Sequence, residues 1–359
     1  MRSGIFVTTL VSLILISVFS FGLLSHDEDL KSRTPDSIAL YRSANKELIS
    51  LLQNKNKFEC APDQHFQSCL DKNISKVIYV KSGSYQIAPF RLNSGQKLVI
   101  GADTTLKLGD DIEMPYKDGY VVGIMGTKNE PIKGVTVILD GVIDGNKSQH
   151  PYERSGNECL RVDYAFNLKI FGAGILQNCS GDGLDIDISR NVFISGLSAI
   201  NNSGAGFHVG SGRPMGSSSN ILGVGLIATN NGHKLGRAGL DASWPNENSN
   251  IYLLSSGEKN YRNWELEGAG ALSILSTSIE PTEADVLTGS SLSVINGVER
   301  SSILENVSYI KQLILRDLKI AYGTLADLFI NPDSLERDFK GNIRGRVPDY
   351  LKPLTYWRL

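Results

Sequence analysis

Four short segments of the sequence share an apolar residue followed directly by an ionisable one. The pairs are Leu160–Arg161, Leu184–Asp185, Phe207–His208 and Leu240–Asp241. In the last three, a glycine precedes the apolar residue. Because side chains alternate across a β-strand, burying the apolar member sends the ionisable member to the opposite face. The pattern therefore predicts one outward column of these four ionisable side chains on a solvent face.

A second outward column follows two residues further along each segment. Its members are Asp163, Asp187, Gly210 and Ser243. If the strands stack, neighbours in a column lie about 5 Å apart. At that distance carboxylates raise each other's pKa, whereas an arginine or a protonated histidine lowers it. Such coupled groups indicate a functional site, and the two small residues would leave a groove for a sugar.

Hydrolysis of a glycosidic bond is one reaction that the carboxylates could perform. It needs two carboxyl groups, and their separation sets the stereochemistry. Asp185 and Asp187 would lie about 6.5–7 Å apart, and Asp185 and Asp241 about 9.5 Å apart, which are inverting distances. Asp163 and Asp187 would lie near 5 Å, roughly the retaining distance.

Elimination or C5 epimerisation is the other chemistry, in which a base removes the proton next to a uronate carboxyl group. His208 is the natural base, with Arg161 or a metal ion neutralising the carboxylate. An aspartate cluster would favour Ca²⁺, which prefers oxygen ligands, but no ligand set in the sequence is complete enough to assign a metal. The predicted catalytic residues are Asp185, Asp187, His208 and Asp241. The predicted substrate-binding residues are Arg161, Asp163, Arg213, Lys234 and Arg237.

The same segments form an internal repeat. Their apolar members, at 160, 184, 207 and 240, lie 24, 23 and 33 residues apart. A second column of asparagines keeps the same order and precedes apolar strands: Asn167, Asn191, Asn220 and Asn250. Periods of this size indicate a solenoid, and the units lack the leucine pattern or helical periodicity of other repeats. The prediction is an all-β fold, a single-stranded right-handed parallel β-helix, in which stacked asparagines form a turn ladder.

Composition and the N-terminus indicate the compartment. A formal net charge of −2 without a basic stripe excludes nucleic acid as an expected partner. Residues 5–24 are almost entirely apolar after a short positive start, which is typical of an export signal or an uncleaved anchor. We expect an exported protein, periplasmic or extracellular, that meets a membrane only through this segment if it is uncleaved. Four cysteines allow three disulfide pairings, of which Cys60–Cys69 is favoured by proximity.

The chain divides into four parts on these grounds. Residues 1–25 are the signal peptide or membrane anchor, and 26–76 are a linker and an N-terminal cap helix. That helix is predicted over 36–57, where apolar residues recur at helical spacing, and it would cover the open strand edges of the solenoid. Residues 77–320 form the β-helix, and 321–359 form a C-terminal cap or tail.

Three segments resemble the pectate-lyase-like superfamily. They are the opening strands at 77–111, GVIDGN at 141–146, and NCSGDGLDIDISRNVFISG at 178–196. The resemblance spans about residues 77–320 and implies the right-handed parallel β-helix fold. It also implies one of the roles known in that superfamily: polysaccharide lyase, polygalacturonase-like glycosidase, sugar epimerase or a non-catalytic role. Polygalacturonases carry an adjacent Asp-Asp, a Gly-His-Gly and an Arg-x-Lys on successive coils. Here the coil after GDGLDID has no Asp-Asp, and residues 239–242 read GLDA where Arg-x-Lys would fall. No subfamily signature is intact.

The sequence therefore predicts an exported carbohydrate-active enzyme, monomeric, which cleaves or modifies a polysaccharide. A uronate-containing substrate and a lyase reaction are favoured. One alternative is a glycoside hydrolase that uses paired aspartates. The alternative from another class is a non-catalytic β-helix that binds glycan or has a structural role.

Overall fold

The strands account for most of the chain that the structure, a computed structural model, describes. It describes 54–112, 119–151, 157–210, 218–242 and 250–266, with gaps at 55, 64 and 254, parts of 40–51, and the short pieces 271–276, 286–287, 292–295 and 298–299. One helix and 28 strands are bounded as follows: β1 Lys57–Cys60, α1 Phe66–Lys72, β2 Val77–Val80, β3 Gly83–Ile87, β4 Phe90–Arg91, β5 Lys97–Ile100, β6 Thr104–Leu108, β7 Gly119–Met125, β8 Ile132–Lys133, β9 Thr136–Leu139, β10 Val142–Asp144, β11 Asn157–Asp163, β12 Ala165–Phe166, β13 Lys169–Phe171, β14 Ile175–Gln177, β15 Leu184–Asp187, β16 Arg190–Ser195, β17 Ser198–Ile200, β18 Phe207–Gly210, β19 Ser219–Val224, β20 Ile227–Thr229, β21 Ala238–Ala242, β22 Asn250–Leu253, β23 Ser256–Glu258, β24 Arg262–Leu266, β25 Ala271–Ser276, β26 Val286–Leu287, β27 Leu292–Ile295 and β28 Val298–Glu299.

The strands form three sheets, to which successive coils contribute strands in turn. Sheet A follows the order β1-β2-β5-β9-β13-β16-β19-β22-β25-β27-β28, with β8 and β12 beside it. Sheet B runs β3-β6-β10-β14-β17-β20-β23, and sheet C runs β4-β7-β11-β15-β18-β21-β24-β26. Neighbouring strands in the described part are parallel, apart from the antiparallel β27–β28 pair. This is the architecture of a parallel β-helix, as the repeat predicted.

The interior of the coils is filled by stacked apolar side chains. Leu160 pairs with Leu184, Leu184 with Phe207, and Phe207 with Leu240 along sheet C. All four are at most 1% exposed and lie in one core cluster. A single coil could not bury such residues, so stability depends on the stack.

The asparagine ladder exists, with one correction. Asn167, Asn191 and Asn220 adopt left-handed φ angles of 59°, 56° and 54°. The side-chain amide of Asn191 donates to Asn167 Oδ1 at 3.1 Å, and that of Asn220 donates to Asn191 Oδ1 at 2.8 Å. Asn250 was predicted as the fourth member, but its Cα pairs with Ile221 rather than with Asn220. It is therefore one residue out of register with the column.

A short helix that sequence periodicity did not predict packs against the first strands of the stack. Helix α1 places Phe66 and Leu70 in the core cluster. The longer helix predicted over 36–57 is helical at its described residues between 40 and 51, but strand β1 begins at Lys57. Strand β1 pairs with β2, so the sheets start ahead of residue 77. That the longer helix caps the solenoid stays a prediction.

Two disulfides are formed, Cys60–Cys69 and Cys159–Cys179. The first is the pairing favoured by proximity, and it ties α1 to β1. The apolar segment 1–25, Arg213, Ser243 and the tail 321–359 lie outside the described residues. Within the described part, no helix is long and apolar enough to cross a membrane.

Candidate functional site

The strand register assembles the first predicted column on sheet C. Arg161 pairs with Asp185, Asp185 with His208, and His208 with Asp241. Glu265 follows Asp241 on the next strand. Asp163 and Asp187 are likewise partners on neighbouring strands. The expected alignment of the repeats is therefore correct over these coils.

The alternation predicted that the column lies on an open solvent face, but the structure shows that it does not. Asp185 is 6% exposed and Asp241 is 0% exposed, so both are buried. Neighbouring side chains pack around them in what we call the ionic cluster, composed of Glu158, Arg161, Asp163, Asp182, Asp185, Asp187, His208, Arg237 and Asp241. Buried charges are costly unless they are paired and hydrogen-bonded, so the pairings in this cluster decide its charge state.

His208 lies at the centre of the cluster. Its Nδ1 is 2.7 Å from Asp185 Oδ1 and 3.6 Å from Asp182 Oδ2. Burial alone would lower the pKa of His208, but the charge of Asp241, the hydrogen bond to Asp185 and the charges of Asp185 and Asp182 raise it well above its usual range. The ring is therefore an imidazolium at neutral pH, with Nδ1–H donating to Asp185.

The three aspartates around this ring differ in their affinity for protons. Burial raises the pKa of Asp185, but the hydrogen bond and charge of His208, with Arg161 and Arg237, bring it below its usual value. Burial, reinforced by the charge of Asp185, raises the pKa of Asp187 to about 7. Burial also raises the pKa of Asp182 to about 6. Asp185 is thus ionised, while Asp187 exchanges protons near neutral pH.

Arginine side chains hold the ends of the cluster. Arg161 Nε lies 3.0 Å from Asp163 Oδ2, and its Nη1 lies 3.8 Å from Glu158 Oε2. Arg237 Nη1 lies 3.3 Å from Asp241 Oδ2. Arg161, Asp163 and Arg237 were predicted to bind substrate. The structure shows both arginines paired with carboxylates of the cluster.

Glycine at position 210 gives Asp187 and His208 room to approach this strand. A Cβ atom there would lie 2.7 Å from Asp187 Oδ1, 2.7 Å from His208 Cε1 and 3.0 Å from His208 Nε2, which is too close for a side chain. Asp187 Oδ1 and His208 Nε2 therefore converge on the same side of Gly210. A carboxyl group and an imidazolium can act there on one substrate.

The donor atoms of Asp182, Asp185 and His208 lie within 4.8 Å of one another, close enough to hold a metal ion. Calcium takes six to eight oxygen ligands, and this set offers two carboxylates and one imidazole. The Nδ1 atom that faces the carboxylates is already hydrogen-bonded to Asp185. The residues present do not fit Ca²⁺, and no step of the mechanism is assigned to a metal.

Sequence reasoning did not single out Glu158, and it did not decide between a turn role and a functional role for Asp182. Strand alternation would point Glu158 inward with Leu160, but the alternation breaks, because Cys159 enters the core and Glu158 meets Arg161. Asp182 accepts a hydrogen bond from the Ala205 backbone N–H at 2.5 Å, which fixes the next turn. Lys234, predicted to bind substrate, is not in the cluster and lines a separate cavity.

Comparisons with known proteins give resemblance in structure alone. No protein-family model matches the chain, and no curated protein sequence is significantly similar. Among solved structures, ORF18 of Geobacillus virus E2 matches with a TM-score of 0.44 and 12% identity, over 71% of this chain and 54% of that one. Pectate lyase Pel9A matches with a TM-score of 0.39 and 11% identity, over 72% of this chain and 82% of that one.

A family 28 exopolygalacturonase of Yersinia enterocolitica matches with a TM-score of 0.38 and 12% identity, over 63% of this chain and 57% of that one. The chain thus spans about half the length of the viral protein and of the exopolygalacturonase. A pectate lyase and a polygalacturonase are among the classes that the sequence resemblance named. At such identities the matches say nothing about reaction or substrate, so the functional argument rests on the side chains.

Proposed function

We propose that the chain is a polysaccharide-acting enzyme that performs acid–base chemistry at Asp187 and His208, with β-elimination at an acidic sugar as its reaction. The observation that supports this is the convergence of Asp187 Oδ1 and His208 Nε2 beside Gly210, each within 3.0 Å of its Cβ position. A base and an acid that converge in this way can serve neighbouring atoms of a substrate.

The charge states assign the two roles. Asp187 has a pKa of about 7, which suits a general base near neutral pH. Its ionised form removes the proton from the carbon next to the sugar carboxyl group. The electron pair forms a carbon–carbon double bond as the bond to the leaving oxygen breaks. His208 Nε2–H donates its proton to that oxygen. The sequence favoured His208 as the base, but its raised pKa favours the acid role.

The remaining groups of the cluster prepare this arrangement. Asp185, ionised and 2.7 Å from His208 Nδ1, holds the ring protonated and oriented. Its negative charge also contributes to the raised pKa of Asp187. Asp185 and Asp241, predicted as catalytic, are buried at 6% and 0% exposure. They act through His208 in this mechanism, as positioning residues.

Hydrolysis is the second candidate, and one observation favours it. Asp185 and Asp187 lie on one strand with pKa values pushed in opposite directions, as in enzymes that assign acid and base roles to two carboxyl groups. Protonated Asp187 would then donate to the leaving oxygen. The opposite pKa shifts of two neighbouring carboxyl groups favour either reaction over a purely structural or glycan-binding role.

The pH dependence of activity separates the two reactions. If Asp187 is the base of an elimination, kcat/KM rises as the pH increases through about 7, because the ionised form is the active one. If Asp187 is the acid of a hydrolysis, kcat/KM falls through the same range. The measurement uses acidic polysaccharides and records both reducing ends and the ultraviolet absorbance of an unsaturated product.

Asp182→Asn is the matched control for this profile, because the pKa of Asp182 is about 6. That variant should keep the limb near pH 7, and Asp187→Asn should lose it. Absence of new reducing ends and of absorbance on every polysaccharide tested, across the whole pH range, would count against both reactions.

Adding a side chain at position 210 should also slow the reaction. Gly210→Ala places a methyl group 2.7 Å from Asp187 Oδ1 and forces the two reactive groups apart. We expect kcat/KM to fall by about 100-fold, the effect of a displacement near 1 Å in an active site. Gly101→Ala is the matched control, since nothing lies within 4 Å of its Cβ position. Equal activity of the two variants would show that the reaction does not depend on the positions of Asp187 and His208 beside Gly210.

A further inference from the structure

A cavity of about 570 Å³ lies beside the ionic cluster, on the turns that lead from sheet B into sheet C. Lys147 follows β10 at its rim, and Asn201 and Asn230 follow β17 and β20. His233 and Lys234 also line the cavity, from the longer turn before β21. Ser203, also in the lining, is two residues before Ala205, whose N–H binds Asp182. The cavity and the cluster therefore share one turn.

The ionisable residues in the lining are all bases: Lys147, His233 and Lys234. Lys147 Nζ donates to the backbone oxygen of Asn201, and to its Oδ1 at 3.0 Å. Burial and the charge of Lys234 lower the pKa of Lys147, against the opposite effect of Asp144, so the two lysines of the lining are close enough to interact electrostatically. An anion between them would offset that interaction.

The neutral residues of the lining indicate which side chains can donate hydrogen bonds to such an anion. The side-chain amides of Asn201 and Asn230 donate along their own ladder, at 2.8 and 3.2 Å. The lysines are therefore the donors suited to a charged group. One coil further, Tyr261 is 45% exposed, and its ring lies 3.6 Å from the Cβ position of Gly236 on the Lys234 turn. The guanidinium of Arg262 lies over this ring, 5.5 Å from its centroid. An exposed aromatic ring paired with a cation on the next coil suits contact with an adjoining sugar that bears an acidic group.

We propose that this cavity is a binding subsite for an acidic sugar unit, whose carboxylate or sulfate group lies between Lys147 and Lys234. The inference rests on the proposed function only in taking the ligand to be part of the polysaccharide that reaches the cluster. Binding at the subsite itself needs no catalytic residue.

The test is calorimetric titration of the full chain carrying Asp187→Asn, which prevents turnover. The probes are a galacturonic acid trimer, its methyl ester, and a sulfated galactose oligosaccharide of equal length. Lys147→Met and Lys234→Met should each weaken binding of an acidic probe by about ten-fold, the loss of one hydrogen bond to a charged group. Lys147→Arg keeps the charge and should retain most of the affinity. Lys169→Met, on the half-buried strand β13, is the matched control and should have no effect.

The two acidic probes identify which anionic group is recognised, and the methyl ester should bind equally weakly to every variant. Equal affinity of Lys147→Met, Lys234→Met and Lys169→Met for the acidic probes would overturn the subsite, as would failure of both acidic probes to bind. Lysine-dependent binding by a chain that cleaves no polysaccharide would support the subsite and remove the proposed reaction. Cleavage by the parent chain with lysine-independent binding would do the reverse.

Discussion

Replacing Asp187 with asparagine is expected to lower kcat/KM on an acidic polysaccharide by about 1000-fold, within the range that one general acid–base group contributes. Asparagine keeps the size of the side chain and its hydrogen-bonding capacity, but it cannot exchange a proton near pH 7. The fold should be unaffected, because Asp187 points away from the core that Ile186 occupies. Steady-state kinetics at pH 8, where the parent Asp187 is largely ionised, measure the effect.

Asp140→Asn is the matched control for this substitution. Asp140 is also a carboxyl group whose pKa burial raises to about 6, and its Oδ1 accepts a hydrogen bond from the Ala173 N–H. Asparagine retains that acceptor. The control separates loss of a proton-transfer group from loss of any partly buried carboxyl group. An Asp187→Asn chain that keeps more than a tenth of the parent activity would contradict the assigned role.

Replacing His208 with alanine is expected to lower the free energy of unfolding by about 3–5 kcal/mol, the cost of removing one partner from a buried ion pair. The side chain is 12% exposed and faces Asp182, Asp185 and Asp241. Without the imidazolium these carboxylates repel one another in a buried site. Urea unfolding at pH 6 measures the difference.

The pH dependence of this loss has a definite sign. The folded pKa of His208 lies above its usual value of 6.5, so its stabilisation is complete below pH 6.5 and is lost as the pH rises through the folded pKa. The gap between parent and variant should therefore narrow in alkaline solution. His150→Ala removes a histidine that binds Gly109 O at 2.7 Å and should cost about 1 kcal/mol. Equal losses for both variants at pH 6 would show that His208 does not bind the carboxylates as a cation.

The alignment of the site could be predicted from sequence because a parallel stack repeats its side-chain direction from coil to coil. Leu184 and Phe207, each after a glycine, identify the inward position, and the residue after each then points outward. Asn191 and Asn220 provide an independent check of the same alignment. The pattern was wrong at Asn250. This residue also precedes an apolar run, but its Cα pairs with Ile221, one residue beyond the ladder position of Asn220.

The chemical state of the site could not be predicted, because it depends on how neighbouring coils enclose the column. A strand pattern tells which face a residue takes, not how much water reaches it. Asp185 and Asp241 are buried by contacts between coils, and Glu158 joins them only because β11 breaks its alternation. The raised pKa of His208, which changes it from base to acid, follows from those three-dimensional contacts.

The register described above has a consequence for how such a site can change over time. Each coil supplies one outward side chain per column, and the coils are joined there by backbone hydrogen bonds that are indifferent to side-chain identity. A substitution at one level therefore leaves the scaffold of the others intact. The protonation of the cluster is collective, however, since the charge of Asp185 acts on both Asp187 and His208. A substitution on one coil would therefore change the backbone little. It would nevertheless shift the pKa values of ionisable side chains on the neighbouring coils, and new chemistry in this molecule could arise in that way.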